Sequence, residues 1–395
     1  MTKNILIFTH AGGNSQLGPN ARWARFAKGL KENDINLTVI GASYFHKYRK
    51  VIKAKFMSPY EMKIDDLSFI YIWSPMYIGS IMRLLNQLIY SISIFLLKKK
   101  HLKKNNPDFI IASSPHPFIV FGAYFWAKTL KANFVYESRD LWPMLLNQNF
   151  GMSKLNPYSI MCCFSEYFAI SKASFVITPK QNEFKYYSNR YNYKNVIWVP
   201  NTSKKRFIRP LHSKSDSSTS MTILYAGSLD TIYLIDELIE AVKIINQTKI
   251  KLLILGEGRK KKHLRSIAKN SLNIRFIGWV HGNAYFKYLA NADICFFGTS
   301  NMEINKYGFS SNKISDYLSQ GKPILTHCTD GIDHLVSSGV ALQSKPGDIK
   351  CLENNIRLLW SKRKLLDQMS KKASGYYSKH YDYDNVIKKL IKVFK

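Results

Sequence analysis

Two stretches of the chain concentrate side chains that could bind and polarise a ligand. The first runs from Asn301 to Thr326, NMEINKYGFSSNKISDYLSQGKPILT, and reads as a loop rich in Gly, Ser and Asn, a short helix and a buried strand. Ser310, Ser311 or Asn312 can cap that helix, leaving free N–H groups and the positive end of the helix dipole facing the loop. Such a terminus is a ready anion site. Lys313 adds a point charge in the first turn, and Asp316 follows nearly one turn later on the same face. Ile314, Tyr317 and Leu318 cover the other side, and Gly321 ends the helix before Pro323 opens the strand. An anion site with a carboxylate one turn in suits a nucleoside diphosphate, the acid being left for ribose hydroxyls. A capped surface helix with a local Lys313–Asp316 pair would give the same pattern. The second stretch is Glu137-Ser-Arg-Asp-Leu-Trp-Pro, with its three ionisable residues and a Trp directly after a buried strand. Charge in that position must pair or meet a ligand. Arg139 and Asp140 therefore either face a ligand or form a buried pair that stiffens the loop.

Weaker signals sit in other loops. Gly12 and Gly13 follow the first strand and permit close backbone approach to a ligand. His116 lies in a Ser-Ser-Pro-His-Pro loop after another strand, where a solvated histidine is the ordinary outcome. Gly227-Ser228 and Gly256-Glu-Gly-Arg259-Lys260 are further strand-to-helix turns, the second of them basic. No Cys/His metal spacing occurs. The acidic pairs Asp65-Asp66, Asp330–Asp333 and Asp382–Asp384 follow no clear strand of a nucleotide site, so neither a divalent metal nor another cofactor is expected.

The elements that must position these groups alternate. Strand-like runs at Asn4–Thr9, Leu37–Ile40, Phe69–Trp73, Phe109–Ala112, Phe134–Tyr136, Phe175–Thr178 and Val196–Val199 are separated by helical patterns such as Ala21–Lys31, Phe118–Leu130 and Pro157–Ser171. A hinge is expected around Trp198-Val-Pro-Asn-Thr, followed by a polar connection from Leu211. A second alternating series begins at Met221, with strands at Thr222–Ala226, Lys251–Leu255, Ile274–Ile277, Ile294–Phe297 and Pro323–Thr326. Alternation of this kind predicts an α/β chain of two mostly parallel sheets, with ligands at the carboxyl ends of the strands.

The run SNKISDYLSQGKPIL resembles the donor-binding signature of glycosyltransferase family 4, nearest to its capsule, O-antigen and exopolysaccharide branch. ESRDLWP, YAGSLD, LGEGRKKKHL, IRFIGWV and YLANADICFF are similar to further segments of that family, in the same order. The resemblance implies the GT-B fold, two Rossmann-like doubly wound domains facing across a cleft. The boundaries would fall at 1–199 and 200–380, with the terminal helix 381–395 packing back on the first domain. It also implies a retaining hexosyl- or N-acetylhexosaminyl-type transferase that moves a sugar from a nucleotide-diphosphate sugar to a polyprenyl-diphosphate-linked acceptor. Gly12, Gly13, Gly227, Ser228, Gly256, Arg259, Ser311, Asn312, Lys313 and Asp316 would bind the donor. Arg139, Asp140 and Trp142 would face the acceptor, and His116, Arg139 and Lys313 would serve catalysis. Two departures stand out. The first of the family's two glutamates would fall at Gly308, and the loop after Gly227 continues Thr231-Ile-Tyr-Leu without the usual cations. A sugar-nucleotide epimerase of the same fold is a rival that would turn over donor without acceptor, and a non-catalytic basic binding protein is another.

Composition bounds the partners. The chain of 395 residues is 46% hydrophobic and 14% aromatic, which excludes disorder as its dominant state. Its 58 Lys and Arg against 26 Asp and Glu leave a net charge of +32, which calls for an anionic partner. No nucleic-acid-binding motif is present, so nucleic acid is not expected. The five cysteines form no pattern and read as reduced thiols of a cytoplasmic protein. Ile78 to Leu97 is apolar but broken by Arg83, Asn86 and Gln87, so no membrane span is expected. The lysines that follow it at once, Lys98, Lys99, Lys100, Lys103 and Lys104, predict peripheral docking on an anionic inner membrane face.

Overall fold

Runs of Ile, Leu, Val and Phe too short for helices and buried on both faces build two parallel sheets. The computed structural model describes residues 2–13, 22–45, 50–64, 67–103, 106–114, 118–202 and 220–395. The chain divides into two compact units, Met1–Pro200 with Ile387–Lys395, and Asn201–Val386.

The first unit opens with β1 (Lys3–Thr9), α1 (Arg22–Lys31), β2 (Ile35–Ala42), the short pair β3 (Tyr44–Phe45) and β4 (Lys50–Val51), β5 (Tyr60–Ile64) and β6 (Leu67–Ile72). It continues through α2 (Ser80–Phe95), α3 (Lys99–Lys103), β7 (Phe109–Ser113), α4 (Ile119–Leu130) and β8 (Asn133–Glu137). It ends with α5 (Trp142–Phe150), α6 (Pro157–Lys172), β9 (Phe175–Thr178), α7 (Glu183–Tyr191) and β10 (Val196–Trp198). The sheet order is β10-β9-β8-β7-β1-β2-β6-β5, parallel except for the β5–β6 hairpin at one edge. The order reverses between β1 and β7. The loops after those strands, at His10–Gly13 and after Ser113, therefore leave the sheet side by side.

The second unit runs β11 (Met221–Ala226), α8 (Ile235–Ile245), β12 (Ile250–Leu255), α9 (Lys261–Ile267), β13 (Ile274–Gly278), α10 (Gly282–Asn291) and β14 (Ile294–Gly298). After it come α11 (Asn312–Ser319), β15 (Ile324–His327), α12 (Asp333–Ser337), β16 (Ala341–Ser344), α13 (Ile349–Ser361) and α14 (Arg363–His380). The last helix, α15 (Tyr383–Phe394), begins in the second unit and ends in the first, where Phe394 packs on Phe109 and Phe175. The second sheet is wholly parallel, in the order β13-β12-β11-β14-β15-β16, with its reversal between β11 and β14. That is the doubly wound order expected of a nucleotide-binding half.

The structure adds edge strands β5 and β16, which the hydrophobic pattern alone does not mark. β5 (YEMKI) is largely exposed and polar, as an edge strand that must discourage further pairing should be. Helix α2 buries polar residues beside Tyr90 and Ile94 and exposes apolar ones. Asn86, Gln87 and Ser91 are buried while Ile81 and Ile92 are exposed. The buried amides are satisfied. Asn86 donates to Pro75 O at 2.5 Å and Gln87 accepts from the Tyr158 hydroxyl at 3.1 Å. Among the described residues no helix is long and apolar enough to cross a membrane.

Candidate functional site

In the second unit the carboxyl end of β11 opens at Gly227, whose φ of +155° takes the chain out of the strand. A side chain there would collide with Lys313, whose aliphatic stem crosses directly over the glycine. Gly256, after β12, has a φ of +140°, and a methyl group on it would overlap the Gly227 carbonyl. The two loops then lock backbone to backbone. Leu229 donates to Glu257 O, and Lys260 donates to Leu229 O, each at 2.9 Å. The glycine at 256 is thus demanded by loop against loop, and that at 227 by its positive φ, with the tip of Lys313 laid over it.

That lysine belongs to α11. Ser311 caps the helix, accepting from the Lys313 N–H at 3.3 Å, and Asn201 steadies the preceding turn by donating to Ser310 O at 2.6 Å. Tyr317 bolts the helix to the end of β11, its hydroxyl lying 3.2 Å from Ala226 N. Lys313 Nζ donates to the Tyr225 hydroxyl at 3.0 Å and sits 3.7 Å from the centroid of the Tyr233 ring. Among the described residues no carboxylate lies within ion-pairing distance of it. Burial accordingly pulls its pKa down from the ordinary lysine value to about 7. A half-buried residue thus holds an inward-facing ammonium whose partners among the described residues are a hydroxyl and two π faces.

The neighbouring charges are already engaged. Asp230 accepts from the Ser228 hydroxyl and from Arg259 Nε, the latter at 3.2 Å, so the exposed Arg259 is tied to a carboxylate. Asp316 does not pair with Lys313. It accepts from the Tyr285 hydroxyl at 3.2 Å, because Lys313 has turned inward toward β11. The first family glutamate is ruled out at Gly308 by backbone shape. With φ +92° and ψ −178° that residue occupies a region open essentially to glycine alone.

Residues 220–362 match the family model of the glycosyl transferases, group 1. The match covers most of the second unit and about a third of the chain. No curated protein sequence matches the chain. Among solved structures, the sucrose-phosphate synthase of Thermosynechococcus elongatus aligns with a TM-score of 0.74 at 12% identity, covering 99% of this chain and 98% of that one. HepE of Anabaena in complex with UDP aligns with a TM-score of 0.67 at 12% identity, over 100% and 99%. WaaG, a glycosyltransferase involved in lipopolysaccharide biosynthesis, gives a TM-score of 0.65 at 13% identity, over 99% of each chain. The fold is GT-B.

Gly227, Ser228, Gly256, Ser311, Asn312 and Lys313 all lie within the matched segment, around the carboxyl end of β11. Tyr225 and Tyr233, which hold the lysine, escape sequence reading, since aromatics beside a strand pass for core. Their only signal is the tyrosine two residues before the Gly227 turn.

The other candidate residues belong to the first unit. Glu137, fully buried at the end of β8, accepts from Arg22 Nε and Trp23 Nε1 at 2.7 Å each, and from the Ser113 hydroxyl at 2.5 Å. Arg22 also donates to Val199 O at 2.5 Å. Burial lowers the pKa of Arg22, an effect that Glu137 opposes. The buried pair at this loop is therefore Arg22–Glu137, and Arg139 and Asp140 do not form one. Both are half-buried, without a side-chain hydrogen bond or ion pair among the described residues. Arg139 is placed through its backbone, which donates to the Ser114 hydroxyl at 2.8 Å. Trp142, at the start of α5, has its indole N–H buried without a partner among the described residues. Gly12 presses against Gly41 of β2, and Tyr71 donates to its carbonyl at 3.0 Å, so packing accounts for that glycine too. Gly13 donates to Ala11 O at 2.8 Å in a tight turn. His116 lies outside the described residues. His10, which sequence reading passed over, has Nε2 2.5 Å from Asn86 Oδ1, and burial lowers its pKa to about 4.

Proposed function

We propose that the chain is a retaining glycosyltransferase of family 4. It would move a hexosyl or N-acetylhexosaminyl group from a nucleoside-diphosphate sugar to a polyprenyl-diphosphate-linked acceptor during bacterial surface polysaccharide synthesis. One observation carries the reading. Lys313 holds a buried ammonium with no carboxylate partner among the described residues, beside the capped start of α11 and the Gly227 turn. A diphosphate would supply the missing negative charge, and the first-turn amides of α11 beyond the one that Ser311 caps would share it.

In the reaction the anomeric C–O bond to the diphosphate breaks while a bond to the acceptor hydroxyl forms on the same face. The hydroxyl proton passes to the departing phosphate oxygen, so configuration is kept without a protein nucleophile. Negative charge grows on the leaving diphosphate, where Lys313 and the helix terminus are already oriented. With that charge met by protein donors, no divalent metal is needed. Ser311 and Asn312 would line the phosphate end and Asp316 would hold the ribose. Ser228, Gly256 and Arg259 would border the nucleotide, with Gly12 and Gly13 against its sugar. His116 and Arg139 would face the reacting sugars, and Asp140 and Trp142 the acceptor. The UDP bound to HepE supports a nucleoside diphosphate as the anion.

A thermal-shift panel of UDP, GDP, ADP and dTDP in the presence of a chelator tests the donor site. At a hundredfold excess over Kd one of them should stabilise the protein by about 2.7 kcal/mol, raising Tm by several degrees. A flat response to the whole panel, or a response only after magnesium is added, would overturn the reading.

A further inference from the structure

Helix α2 presents its apolar side to solvent in a single stripe. Ile81, Leu85, Ile92 and Phe95 are all exposed, Ile81 to 78% and Ile92 to 59%. The helix packs Tyr90 and Ile94 into its own unit, beside the buried Asn86, Gln87 and Ser91, yet leaves this second apolar stripe uncovered among the described residues.

The stripe does not stop at α2. Gly122 of α4 lets the two helices touch at Ile94, and Trp126 of α4 donates to Ile94 O at 2.8 Å. Across that contact the Phe95 ring meets the exposed Phe125 at 5.5 Å. One turn earlier on α4, Phe121 stacks on the exposed Phe164 of α6 at 5.8 Å. Three adjacent helices thus share one apolar, partly aromatic surface.

Charge identifies what covers it. Helices α2, α4 and α6 carry a single acidic residue among them, Glu166, and it is buried. Exposed Lys98, Lys99 and Lys100 stand directly at the end of the stripe, and α4 ends on Lys128 and Lys131. A second copy of this chain would bring the same cations against themselves. An anionic bilayer instead offers acyl chains to the stripe and phosphates to its basic end.

We propose that the exposed face of α2, α4 and α6 seats the first unit on an anionic lipid bilayer, with apolar side chains entering the interface and Lys98–Lys100 at the headgroups. This inference does not rest on the reaction proposed above and stands or falls without it.

Sedimentation of the full chain with phosphatidylcholine vesicles, with and without about 30 mol % phosphatidylglycerol, tests it. The protein should pellet with the anionic vesicles and stay in the supernatant with neutral ones, and salt should release part of it. Ile81→Asp with Ile92→Asp, at exposed positions that leave Tm unchanged, should lower the vesicle affinity roughly tenfold or more. Lys98→Glu, Lys99→Glu and Lys100→Glu together should abolish the preference for the anionic lipid. Supernatant recovery with both vesicles overturns the proposal. So does wild-type retention by the Asp pair, or a dimer in gel filtration that the Asp pair dissolves, which would make a second copy the occupant.

Discussion

Each unit buries a strong cation at the carboxyl end of a strand, and the two are treated in opposite ways. In the first, Arg22 is met by Glu137, and Trp23 and Ser113 fill the remaining lone pairs of that carboxylate. In the second, Lys313 is met by a tyrosine hydroxyl and ring faces, with no carboxylate. A buried ion needs compensation, and where the protein supplies all of it the arrangement is scaffold. Where compensation is incomplete, the missing charge has to arrive with a ligand, and the site is primed to bind one. Both pairs of loops follow conspicuous motifs, so only the completeness of the pairing separates scaffold from candidate site.

The largest effect should come from breaking the complete pair. Glu137→Gln leaves Arg22 buried without a counter-charge and should cost about 3–5 kcal/mol in denaturant unfolding. Replacing both partners, Arg22→Met with Glu137→Leu, should restore much of that, because apolar groups of similar size need no compensation. A loss below 1 kcal/mol for Glu137→Gln would mean that the pair is solvated, and the contrast with Lys313 would collapse.

Lys313→Met should behave in the opposite sense. Removing an uncompensated buried cation should leave Tm unchanged or raise it, while nucleoside diphosphate binding should weaken by about 1.5–3 kcal/mol in calorimetry. A fall in Tm with unchanged affinity would assign the lysine to the scaffold instead.

How much of this was legible beforehand follows the range of the interactions. Strand and helix periodicities are local, so the two parallel sheets, a capped start of α11 and the terminal helix could be read from composition and spacing, whereas the choice of Ser311 over Ser310 or Asn312 as the cap came from the structure. The partners of buried charges are remote. Lys313 meets Tyr225 88 positions away, and Glu137 meets Arg22 across 115. Spacing brought Lys313 and Asp316 to one helix face, as α11 shows, yet their side chains part toward Tyr225 and Tyr285. Likewise the charge density of Glu137–Pro143 marked an unusual loop but could not reveal which acid had a cation behind it. In α2 the apolar content was visible in the sequence. That its polar residues face inward depended on Tyr158 and Pro75 waiting there.

The lowered pKa of Lys313 sharpens the same contrast through pH. Its pKa is near 7 in the folded apo protein and returns to the ordinary lysine value on unfolding. Between those values the unfolded chain holds a proton that the native one lacks, so this group makes stability rise with pH. A bound diphosphate reverses the preference, because the anion favours the ammonium. Affinity for UDP should therefore fall as pH rises above 7, by at most about tenfold per pH unit. Lys313→Met should flatten that dependence, and a wild-type profile level from pH 6.5 to about 9 would show that the ammonium is not at the diphosphate.

The smallest expected effect concerns Asp316, the carboxylate one turn into α11. Its Oδ2 accepts from the Tyr285 hydroxyl, which orients the carboxylate that the proposed reading assigns to a ribose hydroxyl. Asp316→Asn keeps the shape and one acceptor but loses the charge. Binding of a nucleoside diphosphate should then weaken by about 0.5–1.5 kcal/mol, the range of one neutral hydrogen bond. The loss should be absent with inorganic diphosphate, which has no ribose, whereas Lys313→Met should weaken both ligands. Equal losses for the two probes in Asp316→Asn would mean that this carboxylate acts through the helix terminus and not on the sugar.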